Sequence, residues 1–330
     1  MSDELERIKG VGASTASRLR SAGYTTIEAL AVTPASEIIE KTGLGKETVN
    51  KICEEARKLM NYGFIKATEL WERRKNLARC TTGSRNVDKI LGGGVETQAV
   101  TELIGDYGVG KTQICLTLSV MAQLPRDKGG LEGNVIYLDT EGTFSPERVY
   151  QIATMKGLDG RKILDGVIVA RAYNSDHQCL LMDHLFKKCP EENVKLVVVD
   201  SMVSHFRGDY PGRENIAQRQ QILNRYLHKL LRLSEAYNLA VVITNQVMSN
   251  PATFYMNLEL PAGGHIMAHA CTHRVKLSRG KGGTRIAKII DSPYLPEEQA
   301  SFIITEKGIE DTDKQPEEEE EMQPALNQKF

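Results

Sequence analysis

The sequence predicts an α/β protein, a large domain around a mostly parallel sheet preceded by a small all-α domain. Three observations predict it. A length of 330 residues suits one large domain plus a small one. Residues 1–60 read as helical, with two Gly-hydrophobic-Gly turns, Gly10-Val11-Gly12 and Gly43-Leu44-Gly45. From residue 98 onward, short apolar runs alternate with helical stretches, the pattern of a parallel sheet covered on both faces.

In the first segment, Val49, Ile52, Cys53, Ala56 and Leu59 recur at helical spacing and mark one amphipathic face. Residues 61–80 are charged, carry Trp71, the one tryptophan, and read as a linker containing a helix. The core is expected over 81–307. Its strand candidates are TQAVTELI, NVIYLD, GVIVAR, KLVVVD and LAVVITN, and its helix candidates are 111–124, 146–156, 175–188 and 215–237. After residue 264 the runs THRVKLSRG, TRIAKIID and ASFIITE read as closing antiparallel strands. The segment 308–330 reads as an acidic, disordered tail.

Composition excludes several classes. The chain is 41% hydrophobic and 26% charged, enough apolar material for a sizeable core. Six cysteines form no C-x-x-C pair. No apolar run approaches a membrane span, and no N-x-[ST] sequon occurs. A cytoplasmic protein with no membrane partner is expected. The formal charge is −1, but residues 306–330 carry −6, which leaves residues 1–305 at about +5. A mildly basic body with an acidic end permits a nucleic-acid partner without requiring one.

The sharpest signal is GDYGVGKT, which matches G-x-x-x-x-G-K-[ST] between a strand-like run and a helix. Gly105, Asp106, Tyr107, Gly108, Val109, Gly110, Lys111, Thr112 and the following Gln113 form a nucleotide-binding candidate. The glycines let backbone amides turn toward phosphate oxygens, and the helix N-terminus adds its dipole. Lys111 would reach the β- and γ-phosphates of ATP, and the Thr112 hydroxyl would ligate Mg2+. Asp200, closing KLVVVD, is the second magnesium-side candidate. Glu141 and Gln246 emerge at the tips of two other strands, where open α/β sheets place their ligands, and are catalytic candidates beside Lys111. Helix capping is the alternative role for Glu141.

These residues, in this order, resemble the RecA-fold recombinases and most closely the archaeal RadA family, from about residue 5 to 311. The stretches carrying the resemblance are LGGGVETQAVTELIG, YLDTEGTFSPER, VARAYNSDHQ, VVVDSMVSHFRGDYPGRENIAQRQQ, ITNQVM and GGHIMAH. The resemblance implies a RecA-like P-loop ATPase core behind a paired helix-hairpin-helix domain, in which Gly10 and Gly12 would meet double-stranded DNA. It makes Glu141 the catalytic carboxylate and gives Gln246 the coupling of the γ-phosphate to a DNA-binding loop. Arg148 would stack on adenine, while Asp291 and Pro293 would cap a neighbouring subunit's ATP. Phe64 and Ala67, in FIKA, are similar to the family's polymerisation motif. Single-stranded DNA would meet two glycine-containing loops, one over 205–219 through Arg207, Tyr210, Arg213 and Arg219, the other over 247–264 through Met248.

The implied activity is a DNA-dependent ATPase that forms a helical filament and exchanges homologous strands. Rings, a monovalent cation and recombination mediators are compatible with it. An accessory paralogue without strand exchange and a hexameric helicase are the alternatives. His265, His269, Cys271 and His273 have metal-binding types and spacing, yet Cys271, His273, Val275 and Leu277 alternate as one strand face. Two residues depart from the family pattern, Ser145 before Pro146-Glu147-Arg148 and Val109 within the loop.

Overall fold

The structure, a computed structural model, describes residues 4–212, 214–248, 260–261 and 270–317. A 3-10 turn at Glu4–Arg7 leads into α1 (Ala13–Ser21), α2 (Ile27–Val32), α3 (Ala35–Thr42) and α4 (Lys46–Leu59). Gly10 and Gly43 take left-handed backbone, with φ of +91° and +64°, so each lets the chain reverse without a Cβ penalty. Gly12 and Gly45 then cap α1 and α4 with no side-chain hydrogen bond. Val11 is buried while all four glycines are exposed, so each turn is held by its apolar residue and presents backbone outward.

Helix α5 (Ala67–Lys75) has no buried residue. The core follows with β1 (Arg79–Cys80), α6 (Arg85–Ile90), β2 (Val95–Glu96), β3 (Ala99–Ile104), α7 (Lys111–Met121), β4 (Asn134–Asp139), α8 (Pro146–Met155), α9 (Gly160–Asp165), β5 (Val167–Arg171), α10 (Ser175–Glu191) and β6 (Val194–Asp200). It continues with α11 (Ser204–Asp209), α12 (Ile216–Tyr237), β7 (Ala240–Asn245), β8 (Val247–Met248), β9 (Leu260–Pro261), β10 (His273–Arg279), β11 (Arg285–Asp291), β12 (Gln299–Thr305) and β13 (Gly308–Asp311).

Among the described residues, nine strands make one sheet in the order β13-β12-β11-β10-β3-β7-β6-β4-β5. The six from β10 to β5 run parallel, and β11, β12 and β13 extend the sheet as antiparallel neighbours. Side-chain alternation divides the core into two layers. Val197 and Val199 of β6 face one layer with Leu223, Leu227 and Leu230 of α12. Leu196 and Val198 face the other, with Ile114 and Leu118 of α7. Parallel strands buried on both faces explain why their sequences are apolar without a break.

The helical domain docks on α12 through charge as well as apolar contact. Lys229 Nζ donates to Glu37 Oε1 at 3.0 Å and also meets Asp183, and the Arg232 guanidinium lies 3.6 Å from Glu37. Burial raises the Glu37 pKa, but Lys229 and Lys41 outweigh it and hold the carboxyl below its ordinary value.

Two expectations need correction. The acidic tail does not begin at residue 308, because Gly308–Asp311 is strand β13 with Ile309 fully buried. Gly308, at φ +93°, reverses the chain after Lys307, and Asp311 Oδ1 accepts hydrogen bonds from Ser84 Oγ and the Asn86 amide. The charge count suggests solvent, whereas these acids are edge and capping groups. Nor is 205–219 a single loop. Ser204–Asp209 is helical because Phe206 drives into the core, and α12 already includes Arg219, so only 210–215 connects two helices.

Candidate active site

Strands β3, β4, β6 and β7 end together, and the candidate residues meet at their C-terminal edge. The loop after β3 is shaped by contacts only glycine permits: a Cβ on Gly105 would lie 2.4 Å from the Leu277 carbonyl oxygen, and one on Gly110 would lie 2.9 Å from Ile304 Cδ1. Gly108 and Gly110 have φ of +78° and +109°. Val109 is buried in the core, while Asp106 and the 89%-exposed Tyr107 form the outer rim. The valine therefore anchors the loop and stays clear of its phosphate-facing side.

Lys111 Nζ folds back to donate to the carbonyls of Gly105 and Asp106 at 2.7 and 2.8 Å. Burial pushes the ammonium pKa down, opposed by the negative charges of Asp200, Glu141 and Asp106. Thr112 Oγ1 donates to Asp200 Oδ2 at 2.8 Å. Two partners of Asp200 escaped the sequence reading, since Tyr137 donates to Oδ2 at 2.6 Å and Thr244 to Oδ1 at 2.5 Å. Three hydroxyls thus hold one buried carboxylate. The paired Thr112 hydroxyl and Asp200 carboxylate form a hard-oxygen donor set, which fits magnesium better than a soft metal.

Glu141 and Gln246, from different strands, are in direct contact. Glu141 Oε1 accepts from Gln246 Nε2 at 3.2 Å and from Ser201 Oγ at 2.9 Å. The turn carrying Glu141 is organised by Asp139, a residue sequence reasoning passed over. Asp139 Oδ1 accepts from the amides of Glu141, Gly142 and Thr143 at 3.1, 2.7 and 3.2 Å, and Arg171 Nη1 adds an ion pair at 3.1 Å. The acid that closes the turn is Asp139, which leaves the Glu141 carboxylate projecting between two strand ends. A D-T-E-G run ending a strand was the available signal.

Arg148 lies beside the same loop, donating to Gln113 Oε1 at 2.9 Å, Gln151 Oε1 at 2.6 Å and the Glu306 carbonyl at 3.2 Å. Its helix begins at Ser145, whose hydroxyl accepts from the Arg148 amide at 3.1 Å and donates to Glu147 at 3.0 Å. The serine is a helix cap. Gly105 through Gln113, Glu141, Arg148, Asp200 and Gln246 are therefore brought together.

Asp291 and Pro293 are not among them. The register sets Asp291 beside Arg274, Arg274 beside Glu102, and His273 beside Thr101. Pro293 thus lies toward the N-terminal end of β3, whereas the loop springs from its C-terminal end. At about 3.3 Å per residue and 4.8 Å per strand, the two are roughly 15–20 Å apart. Both cap candidates are exposed, Asp291 level with Glu102 and Pro293 beyond it.

The remaining candidates scatter by element. Arg207 is exposed on α11, Tyr210 is half-buried, and Arg219 Nη1 reaches the Tyr210 carbonyl at 3.4 Å. Arg213, His265, His269 and the Met248 side chain lie outside the described residues. His273 bonds Ser292 and Tyr294 instead of a cysteine or a second histidine. Among the described residues, no three His, Cys, Asp or Glu side chains gather as a metal site. No helix among them is long and apolar enough to cross a membrane. Phe64 is fully exposed at 111%, and Ala67, the first residue of α5, is exposed as well.

A parallel sheet whose central strand feeds a G-x-x-x-x-G-K-T loop, with a buried aspartate at its side and a carboxylate across from it, defines a P-loop nucleotide-binding protein of the RecA-like class. The Rad51 family profile matches residues 73–312, and the chain belongs to that family. A second profile, the SAM-like helix-hairpin-helix tandem, matches residues 2–58. The chain is 50% identical over 308 residues to the DNA repair and recombination protein RadA of Aeropyrum pernix, covering 93% of this chain and 97% of that one.

Proposed function

We propose that this chain is a DNA-dependent ATPase that assembles head to tail on single-stranded DNA and catalyses homologous pairing and strand exchange in recombination and repair. The observation that carries the reading is the polarity of the sheet. The hydrolytic groups converge on its C-terminal edge, while Asp291 and Pro293 leave from the opposite end, out of reach of their own loop. Cap residues that cannot serve their own nucleotide can serve that of the next copy. A heterologous contact of this kind generates an open filament unless the rotation closes it into a ring. The exposed Phe64 and Ala67 supply a linker contact with the same neighbour. The sheet also ends in an open edge strand, β5, with Val169 exposed, and such edges accept an added extended segment.

In the proposed hydrolysis, the backbone amides after Gly105 and the Lys111 ammonium bind the β- and γ-phosphates of ATP. Magnesium, held at Thr112 and Asp200, would neutralise phosphate charge. Glu141 takes a proton from the attacking water as oxygen bonds to the γ-phosphorus. ADP leaves with the electron pair of the broken P–O bond, and the proton then passes to solvent. Gln246 reports the state of the γ-phosphate through its hydrogen bond to Glu141 and begins the segment that reaches Met248. A monovalent cation and recombination mediators are compatible additions.

DNA contact is assigned to the basic side chains Arg207, Arg213 and Arg219, with Tyr210 as a stacking face. The uncapped glycine turns of the N-terminal domain, Gly10 and Gly12 among them, address duplex phosphates without reading bases. The test is fluorescence strand exchange by protein preassembled on labelled single strand with Mg-ATP. Transfer to homologous and not scrambled duplex is expected. Intact ATP and DNA binding without any exchange would replace the reading with that of an accessory paralogue.

A further inference from the structure

At the end of the sheet remote from the phosphate loop, three segments converge on a single buried carboxylate. Glu96 is 3% exposed, and its Oε1 accepts from Arg74 Nη2 at 3.0 Å and from the Tyr294 hydroxyl at 2.7 Å, while Oε2 accepts from Arg79 Nη2 at 2.5 Å. Arg74 belongs to helix α5, which has no buried residue, and Tyr294 to the segment carrying Asp291 and Pro293. The Arg74 guanidinium also lies 5.0 Å from the centre of the Tyr294 ring. Behind it, buried His273 places Nε2 3.1 Å from the Tyr294 oxygen and Nδ1 3.1 Å from Ser292 Oγ.

With a neutral imidazole, one proton arrangement satisfies every contact. Ser292 donates to Nδ1, Nε2–H donates to the Tyr294 oxygen, and Tyr294 donates to Glu96. Burial holds His273 below its ordinary pKa, in keeping with that neutral form. Ser292 Oγ further accepts the Leu295 amide at 3.0 Å. The segment is thereby fixed at Ser292, Tyr294 and Leu295, while Asp291 before them and Pro293 among them stay exposed. A buried ion cluster is weak evidence for stability, since desolvation offsets much of the attraction, but its directional bonds specify geometry.

We infer that Glu96, Tyr294 and His273 are positioning residues for nucleotide binding in trans, locking the 291–293 cap to helix α5 so that linker and cap meet a neighbour as one rigid piece. This rests on the head-to-tail reading above. Tyr294→Phe keeps the ring and removes the hydroxyl. In the assembled full chain on single-stranded DNA, it should raise the KM for ATP about ten-fold, the equivalent of about 1.4 kcal/mol, with little change in kcat. Arg74→Ala, on the linker helix, should move KM the same way, and the double variant should fall short of the sum of the two effects.

In a Phe64→Ala background, Tyr294→Phe should add no change to the affinity for a fluorescent ATP analogue, because the chain's own loop is out of reach. An unchanged KM for Tyr294→Phe in the assembled protein would overturn the inference. So would an equal loss of affinity in the Phe64→Ala background, which would make the tyrosine merely structural. If Phe64→Ala alone still forms filaments with unaltered hydrolysis, the assembly reading fails first and takes the inference with it.

Discussion

Glu141→Gln separates binding from chemistry at this site. The replacement is isosteric, and its amide oxygen can still accept from Ser201 Oγ and Gln246 Nε2, now at 2.9 and 3.2 Å from Glu141 Oε1. The turn is held by Asp139 through three backbone amides and is untouched. Neutral acceptors are weaker than charged ones, so the structural cost should stay within about 1–2 kcal/mol. The lost function is proton abstraction, which typically contributes 10²–10⁴-fold, or about 3–5 kcal/mol of barrier. Lys111, Thr112 and Asp200 keep their contacts, so nucleotide affinity should remain within a few fold. Phosphate release on single-stranded DNA at saturating ATP, paired with nucleotide titration and thermal melting, reads the three quantities apart. A kcat within five-fold of the parent would remove Glu141 as the base. Affinity falling as steeply as the rate would show that the carboxylate binds the nucleotide and does not act on the water.

Three further outcomes are expected. Phe64→Ala should abolish filaments seen by light scattering or electron microscopy and leave the melting temperature within about a degree, because a fully exposed ring buries nothing within its own chain; a large loss of stability would assign it to the fold. Arg274→Ala should cost about 3–5 kcal/mol in denaturant unfolding, since it leaves fully buried Glu102 without the guanidinium 2.7 Å away; a cost under 1 kcal/mol would mean water or a neighbour compensates. The Glu37 carboxyl, held below its ordinary 4.5, should stabilise the docked helical domain fully above about pH 4.5 and progressively less as pH falls through its folded pKa. The stability difference between the parent and Glu37→Gln should therefore vanish in acid, and a difference independent of pH would exclude the ion pair with Lys229 as its source.

Patterns of short range were legible in the sequence. The glycine loop at 105–112, the apolar strands and the amphipathic helices follow from backbone sterics and burial periodicity, which act over a few residues. They placed Asp200, Glu141 and Gln246 at strand ends and Lys111 and Thr112 at the start of a helix. The misreadings had equally local causes. Glycines and charges in 205–219 resemble a loop until Phe206 is seen to be buried. The acids after residue 308 resemble a solvated tail until Ile309 and Asp311 find partners some 225 residues away, on α6 and its flanks. Side-chain partnership across the sheet was invisible. No spacing in the chain announces that Tyr137 and Thr244 share Asp200, that Asp139 shapes the Glu141 turn, or that Arg74 and Tyr294 meet on Glu96. Those pairings depend on strand order and register, which are decided by how the whole core packs and not by any single segment. Sequence by itself determined the chemistry available and the end of each strand that carries it. Only the tertiary structure decided that Asp291 and Pro293 lie away from the phosphate loop, because that separation exists only once β10 and β11 have paired beside β3.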